Sequence, residues 1–372
     1  MIFNQCDDRL FQLLCYVGYC TEFPKHLASR IGGHPDWCRH VMYRAIREGY
    51  LTVFRRKAGR RIVTSLRITA KGLAYIAARS PAAHTMISTQ MKTVPQGYHY
   101  VVNRILRYQS FASAMVMAHN AGALVLPESK PLLTIQKGQP RKIPIDPATC
   151  YFYSTSEIRA AIEEYAPETA SSSSRIAGVL IHGRDCFCIY DAGRSRMLWL
   201  RSIEENFASS VQSMLNVRGF RVRVLKQVVL GDKMDLALKL CHRGTRKGSR
   251  YFVLSNFFNN CYFLTNDANG DRQLRALWDA DAAQRYNQRA LINCSPPDRL
   301  THAYDAIDTE EGRPVILNYK CDLLTLPDID YAPAGFAVSP IIKCFDHQVS
   351  VLQQLVGTMA EVRGMGGTEE IE

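Results

Sequence analysis

The chain has 372 residues, 47% of them hydrophobic and 22% charged, with a net charge of +12 and a pI near 9.2. This composition excludes a disordered chain, the length allows two or more domains, and the positive balance favours a polyanionic partner. No run of about 18 apolar residues is present, so no membrane partner is expected. The start "MIFNQCDDRLF" lacks the basic and apolar regions of a signal peptide. A cytoplasmic location follows as the expectation, with the 12 cysteines as reduced thiols.

In chain order, Asp7 or Asp8 is expected to cap a first helix, "DRLFQLLCYVGYC", with Leu10, Leu13, Leu14 and Val17 at helical spacing. Thr21 starts a short second helix, "EFPKHLASRIG". Asp36 caps a third, "WCRHVMYRAIREG", which ends at Gly49. Two strands, 50–54 and 62–66, flank a basic tip holding Arg55, Arg56, Lys57, Arg60 and Arg61. Thr69 then caps a fourth helix, "AKGLAYIAAR". His34, Cys38 and His40 are near in sequence, but a fourth zinc ligand at a sensible spacing is missing. No cofactor is expected.

Charge is concentrated in this first part. Residues 1–80 hold fourteen lysines and arginines against five acids, +9 of the total +12. At about 100° per residue, Asp36, Arg39, His40, Tyr43, Arg44 and Arg47 fall within an arc of about 140° on the third helix. Cys38, Val41, Met42, Ala45 and Ile46 take the other side. An ordinary solvated face mixes signs, whereas this one carries three arginines against a single acid.

Helix, helix, helix, strand, basic tip, strand, helix resembles a winged helix-turn-helix over roughly residues 5–80. "AIREGYL" resembles the end of its recognition helix, and "LRITAKGLAYI" its second wing strand and last helix. The resemblance implies that Arg39, His40, Tyr43, Arg44 and Arg47 face a major groove of double-stranded DNA. Arg55, Arg56, Lys57, Arg60 and Arg61 would grip phosphates or enter a minor groove. An RNA-binding winged helix, or a winged helix used as a protein-docking module, is the variant reading. The apolar stripes of the first, third and fourth helices (Leu10, Leu13, Leu14, Val17; Val41, Met42, Ala45; Leu73, Ile76) close within about 80 residues, a size at which independent folding is expected.

Residues 81–175 read as a helical connector. "SPAAHTMISTQMKTVPQGYHY" is a connection, "HYVVNRILRYQSFASAMVMAHNAG" a strong helix, "VLPESKPLLTIQKGQPRKIPIDP" a Pro-rich loop, and "EIRAAIEEYAPETASSSS" an acidic helix running into serines. Residues 176–372 alternate strands and helices, which predicts a mixed α/β domain and an α+β protein overall. Three strands are expected within "RIAGVLIHGRDCFCIYDAGRSRMLWLRS", with Cys186 and Cys188 on one face, and a later strand at "RYFVLSNFF".

This order, with "RILRYQSFASAMVMAHNAG…KP", "YFYSTSEIRAAI" and "SRIAGVLIHGRDCFCIYDAG", resembles the replication-relaxation proteins of plasmids and integrative conjugative elements. The resemblance implies a DNA-binding accessory role in the replication, relaxation or transfer of a mobile element, or in its transcriptional control. Relaxase or replication proteins are the implied partners, and a homodimer is left open. The back half of such proteins resembles the PD-(D/E)xK nuclease fold, so a metal-dependent endonuclease is the alternative. That chemistry needs two acids and a lysine on adjacent strands. Asp185 and Asp191 are candidates, yet Gly193 stands where the lysine is needed. Asp232, Asp235 and Lys239 have helical spacing, and Lys320 and Asp322 lack a preceding acid. The expected back domain is therefore a degenerate, non-catalytic form of that fold.

Overall fold

The computed structural model describes residues 9–32, 34–59, 61–92, 94–134, 142–165, 174–194, 197–241, 251–297, 304–326 and 338–366. They form a mixed α+β architecture with three sheets. The expected caps Asp7 and Asp8 and the tip residue Arg60 lie outside the described residues.

The apolar run after them forms helix α1 (Arg9–Cys20). The short α-helix expected from Thr21 is not there. A two-residue strand β1 (Phe23–Pro24) and a 3-10 turn (Lys25–Arg30) take its place. Pro24 explains the change: it has no N–H to donate, and it biases the residue before it away from helical angles. Helix α2 (Pro35–Arg47) begins two residues earlier than expected, with Pro at its first position. His34 is its cap, not Asp36, since the His34 ring accepts the Asp36 N–H at 3.3 Å.

Strands β2 (Leu51–Ala58) and β3 (Arg61–Ile68) pair antiparallel from Leu51↔Ile68 to Ala58↔Arg61, and β3 also pairs with β1. Gly59, directly after β2, takes a left-handed φ of +60°, as a tight hairpin turn requires. Thr69 caps α3 (Ala70–Arg79) as expected, accepting the Gly72 N–H at 3.1 Å. Residues 81–92, expected as a connection, are helix α4 (Pro81–Lys92). A first-turn proline and the Ser80 hydroxyl, which accepts the Ala83 N–H at 3.2 Å, are its start signals.

One ion pair ties β3 to the core. The Glu22 side chain is fully buried, and Arg67 Nε donates to its Oε1 at 2.6 Å while the guanidinium stacks 3.4 Å over the Phe54 ring. Replacing only one partner strands the other charge in low dielectric. Arg67→Met is expected to cost about 3 kcal/mol of stability by urea unfolding, and Glu22→Gln/Arg67→Met to recover most of it. A loss under about 1 kcal/mol for the single change refutes the assignment.

Helix α5 (Val102–Asn120) is the central spar. Beyond it come strand β4 (Tyr151–Ser154), helix α6 (Thr155–Tyr165), strands β5 (Ile176–His182) and β6 (Asp185–Gly193), helix α7 (Arg201–Arg218), strand β7 (Val224–Gly231), helix α8 (Asp235–Cys241) and strand β8 (Asn260–Thr265). The five strands form one sheet in the order β4-β5-β6-β7-β8. β4, β5 and β6 are antiparallel neighbours, and β6, β7 and β8 run parallel. Its edge strand β4 comes from the stretch expected as connector. Of the strands expected near 198 and 251–258, only a bridge Leu198↔Tyr251 is present.

Both sheet faces are buried. Phe152, Leu180, Phe187, Ile189, Val228 and Leu264 share one core with α5 and α1. Tyr153, Val179, Cys186, Cys188, Tyr190 and Phe263 share the other with residues of α6, α7 and α8. Cys186 and Cys188 therefore lie on one strand face, as expected, and the described cysteines carry free thiols.

The chain closes with helices α9 (Ala268–Trp278) and α10 (Ala280–Ala290) and a small sheet of β9 (Cys294–Ser295), β10 (Ala306–Asp308), β11 (Pro314–Leu317), β12 (Ile341–Cys344) and β13 (Glu361–Gly364). Helix α11 (Val349–Val356) precedes β13. Among the described residues, no helix is long and apolar enough to cross a membrane.

Candidate nucleic-acid interface

Helix α2 sorts its residues as its periodicity requires. Cys38, Met42 and Ala45 are buried, whereas Arg39, His40, Tyr43, Arg44 and Arg47 are all exposed. Tyr43 is 55% exposed, with the Lys25 ammonium 5.1 Å from its ring centre. Arg39 pairs with Asp36 at 2.8 Å and Arg44 with Glu48 at 2.8 Å, both across solvent. Such exposed pairs are worth little, so an incoming phosphate or base edge can replace the carboxylate. Cys38 bonds the Gly32 carbonyl at 2.9 Å on the buried side, away from exposed His40. A shared metal for these two is thereby excluded on geometry.

The helix feeds directly into the hairpin. Tyr50 N–H donates to Ala45 O at 2.9 Å, and Lys71 Nζ donates to Glu48 O at 2.7 Å, fixing the corner between α2 and β2. On the hairpin Arg55, Arg56 and Lys57 are exposed. The register opposes Arg55 to Thr64, Arg56 to Val63 and Lys57 to Ile62. Side chains alternate faces, so Arg55 and Lys57 share one side of the ribbon and Arg56 takes the other. Arg61 is placed as the first residue of β3.

Two features escaped the sequence reading. Trp37 is 48% exposed on the edge of the α2 polar arc, and Ile62 is 68% exposed beside Lys57 on the hairpin. Both are apolar types that a pattern argument assigns to the core. The signal available for Trp37 was its angle, next to Arg44 on a helical wheel.

The candidate nuclease residues fall in two separate places, Asp191 near Asp232 and Asp185 near Lys320. Asp185 and Asp191 stand at opposite ends of β6, six residues and hence about 20 Å apart, too far to share a metal. Lys226 Nζ contacts Asp185 at 2.5 Å, and Arg194 contacts Asp232 at 2.6 Å. Asp322 accepts the Asn260 side-chain amide at 2.6 Å and the Cys261 N–H at 3.0 Å, a structural clamp. Among the described residues, no group of three or more His, Cys, Asp or Glu could hold a metal ion.

Asp191 faces α5 and accepts the Gly193 N–H at 2.8 Å, and burial raises its pKa to about 6. A carboxyl raised in the folded state contributes its stability below the unfolded value of about 4 and loses it as pH climbs to 6. The loss is at most about 3 kcal/mol, at about 1.4 kcal/mol per unit. Asp191→Asn is therefore expected to stabilise the protein at pH 7 and to flatten its stability between pH 4 and 6. Thermal melts across that range check it, and an unchanged pH profile refutes it.

No family model, curated protein or solved structure matches the chain.

Proposed function

We propose that residues 9–79 are a winged helix-turn-helix that binds double-stranded DNA, with α2 in the major groove and the β2–β3 hairpin as the wing. The observation that carries this reading is the exposed file of Arg39, His40, Tyr43, Arg44 and Arg47 leading into exposed Arg55, Arg56 and Lys57. Arginine forks fit guanine O6 and N7, and the hairpin cations fit phosphates on either side of the ribbon. The five-stranded sheet, a degenerate PD-(D/E)xK-like unit in this proposal, acts as a non-catalytic platform for relaxase or replication proteins. The protein then serves as an accessory factor in the replication, relaxation, transfer or transcriptional control of a mobile element.

Binding to duplex DNA and to duplex RNA across a salt series tests the reading, with supercoiled plasmid and Mg²⁺ as the nuclease control. Affinity for DNA is expected to fall steeply with salt and to exceed that for RNA, with no nicking. On a cognate site Arg44→Ala or Arg47→Ala is expected to cost about 1–3 kcal/mol, and much less on scrambled DNA. Absence of DNA binding overturns the reading. Metal-dependent nicking abolished by Asp185→Ala/Asp191→Ala moves it to an endonuclease.

A further inference from the structure

The hairpin carries one side chain that its charge pattern does not explain. Ile62 is 68% exposed, although isoleucine is among the residue types most often buried. It stands on β3 directly across from Lys57, one pair in from Ala58↔Arg61, the last pair before the turn. Side chains alternate faces along a strand, so Ile62 and Lys57 share the ribbon face of Arg55, and Arg56 takes the other. All three cations are exposed. The same face meets the core further back, where Val53 pairs with buried Leu66.

Folding gains little from Ile62, since most of its surface stays in water and threonine suits a strand as well. A lone exposed apolar side chain is ordinary on a protein surface. This one differs in its setting. Exposed cations stand on both faces of the ribbon around it, and they bring it against a duplex whenever the hairpin binds one. The apolar part of a duplex is its stacked base pairs. With α2 in the major groove, the hairpin lies over the adjacent minor groove, whose walls are phosphates and whose floor is those base pairs. The branched Cβ leaves Ile62 few rotamers, so ordering it there loses little freedom.

We infer that Ile62 is a wedge that enters the minor groove between two base pairs, partly unstacks them and bends the duplex towards the major groove, with Arg55 and Lys57 on the flanking phosphates. The inference rests on the DNA reading of the hairpin. Pyrimidine–purine steps unstack most easily and A-tracts are stiff. The wedge therefore gives the hairpin a sequence preference without a hydrogen bond to any base.

The test uses the full chain on duplexes of about 40 base pairs labelled at both ends for energy transfer, with a TA step or an A-tract beneath the hairpin as located by hydroxyl-radical footprinting. The unaltered chain is expected to shorten the end-to-end distance and to prefer the TA duplex about tenfold. Ile62→Gln keeps the charge of the hairpin. It is expected to leave the duplex straight, to abolish the preference and to weaken the TA complex about tenfold, with the salt slope unchanged. Ile62→Thr, which keeps the branched shape, is expected to behave like Ile62→Gln, and Ile62→Leu to keep the bend. Melts of all three variants are expected to match that of the unaltered chain. A bend or a TA preference that persists in both polar variants overturns the wedge. If the unaltered chain binds no duplex, the DNA reading falls and the wedge with it. If it binds but leaves the duplex straight, the wedge alone falls.

Discussion

A chain cut after residue 80 is expected to lose cooperative folding. The apolar stripes of the N-terminal helices suggest a self-sufficient unit, but α1 is buried on every side. Its second face packs on α5: Tyr19 meets Phe111 at 5.8 Å and Tyr16 meets His119 at 5.3 Å, and Phe11 lies in the same core. Exposing three aromatic side chains costs about 2 kcal/mol each, some 6 kcal/mol together. The whole stability of an ordinary domain is about 5–15 kcal/mol, and an 80-residue unit sits at the low end. Circular dichroism and urea unfolding of the 1–80 chain check this. A sharp, native-like transition would show that the second face of α1 needs no cover.

The rest of the docking between the units is long-range and hence invisible in a sequence. Arg30, in the 3-10 turn, donates to Asn266 Oδ1 at 2.6 Å and pairs with Asp271 at 2.5 Å. Asn120 holds the other Asp271 oxygen at 2.8 Å. Nothing local marks Arg30 as a partner of α9, 241 positions away. What was legible is what period and local chemistry encode. The two faces of α2, the hairpin with its Gly59 turn and the Thr69 cap all depend on neighbours within a few residues. The missed elements had ambiguous local signals. Helix α4 begins Pro-Ala-Ala and contains His, Thr and Ser, so it reads as linker until its first-turn proline is recognised as a start. Strand β8 lies in "NCYFLT", just beyond the equally apolar "RYFVLSNFF", and only pairing with β7 chooses between them. The exposed cationic residues of α2 and the hairpin were legible by charge. Trp37 and Ile62 were not, because exposure of an apolar side chain is decided by what the fold leaves uncovered.

Neutralising the hairpin should have the largest effect on binding. Arg55, Arg56 and Lys57 are exposed and lie on both faces of the ribbon, so each is placed to meet a different phosphate. Each lost contact removes about 0.9 from the log–log salt slope, and three remove about 2.7. Near 0.15 M salt, relative to 1 M, that slope corresponds to about two orders of magnitude in affinity. Arg55→Gln/Arg56→Gln/Lys57→Gln is therefore expected to weaken binding about 100-fold on cognate and scrambled duplexes alike. Folding should be unaffected, because these side chains bury nothing that the core needs. The contrast with α2 is the decisive part. A change at Arg44 or Arg47 should separate cognate from scrambled DNA, since base edges differ and phosphates do not. Anisotropy titrations of both duplexes from 0.05 to 0.5 M salt, values on the order of the range where counterion release dominates, read slope and discrimination together. If the hairpin variant and the helix variants lose affinity in the same proportion on both duplexes, α2 reads no bases and the two elements form one undifferentiated basic surface.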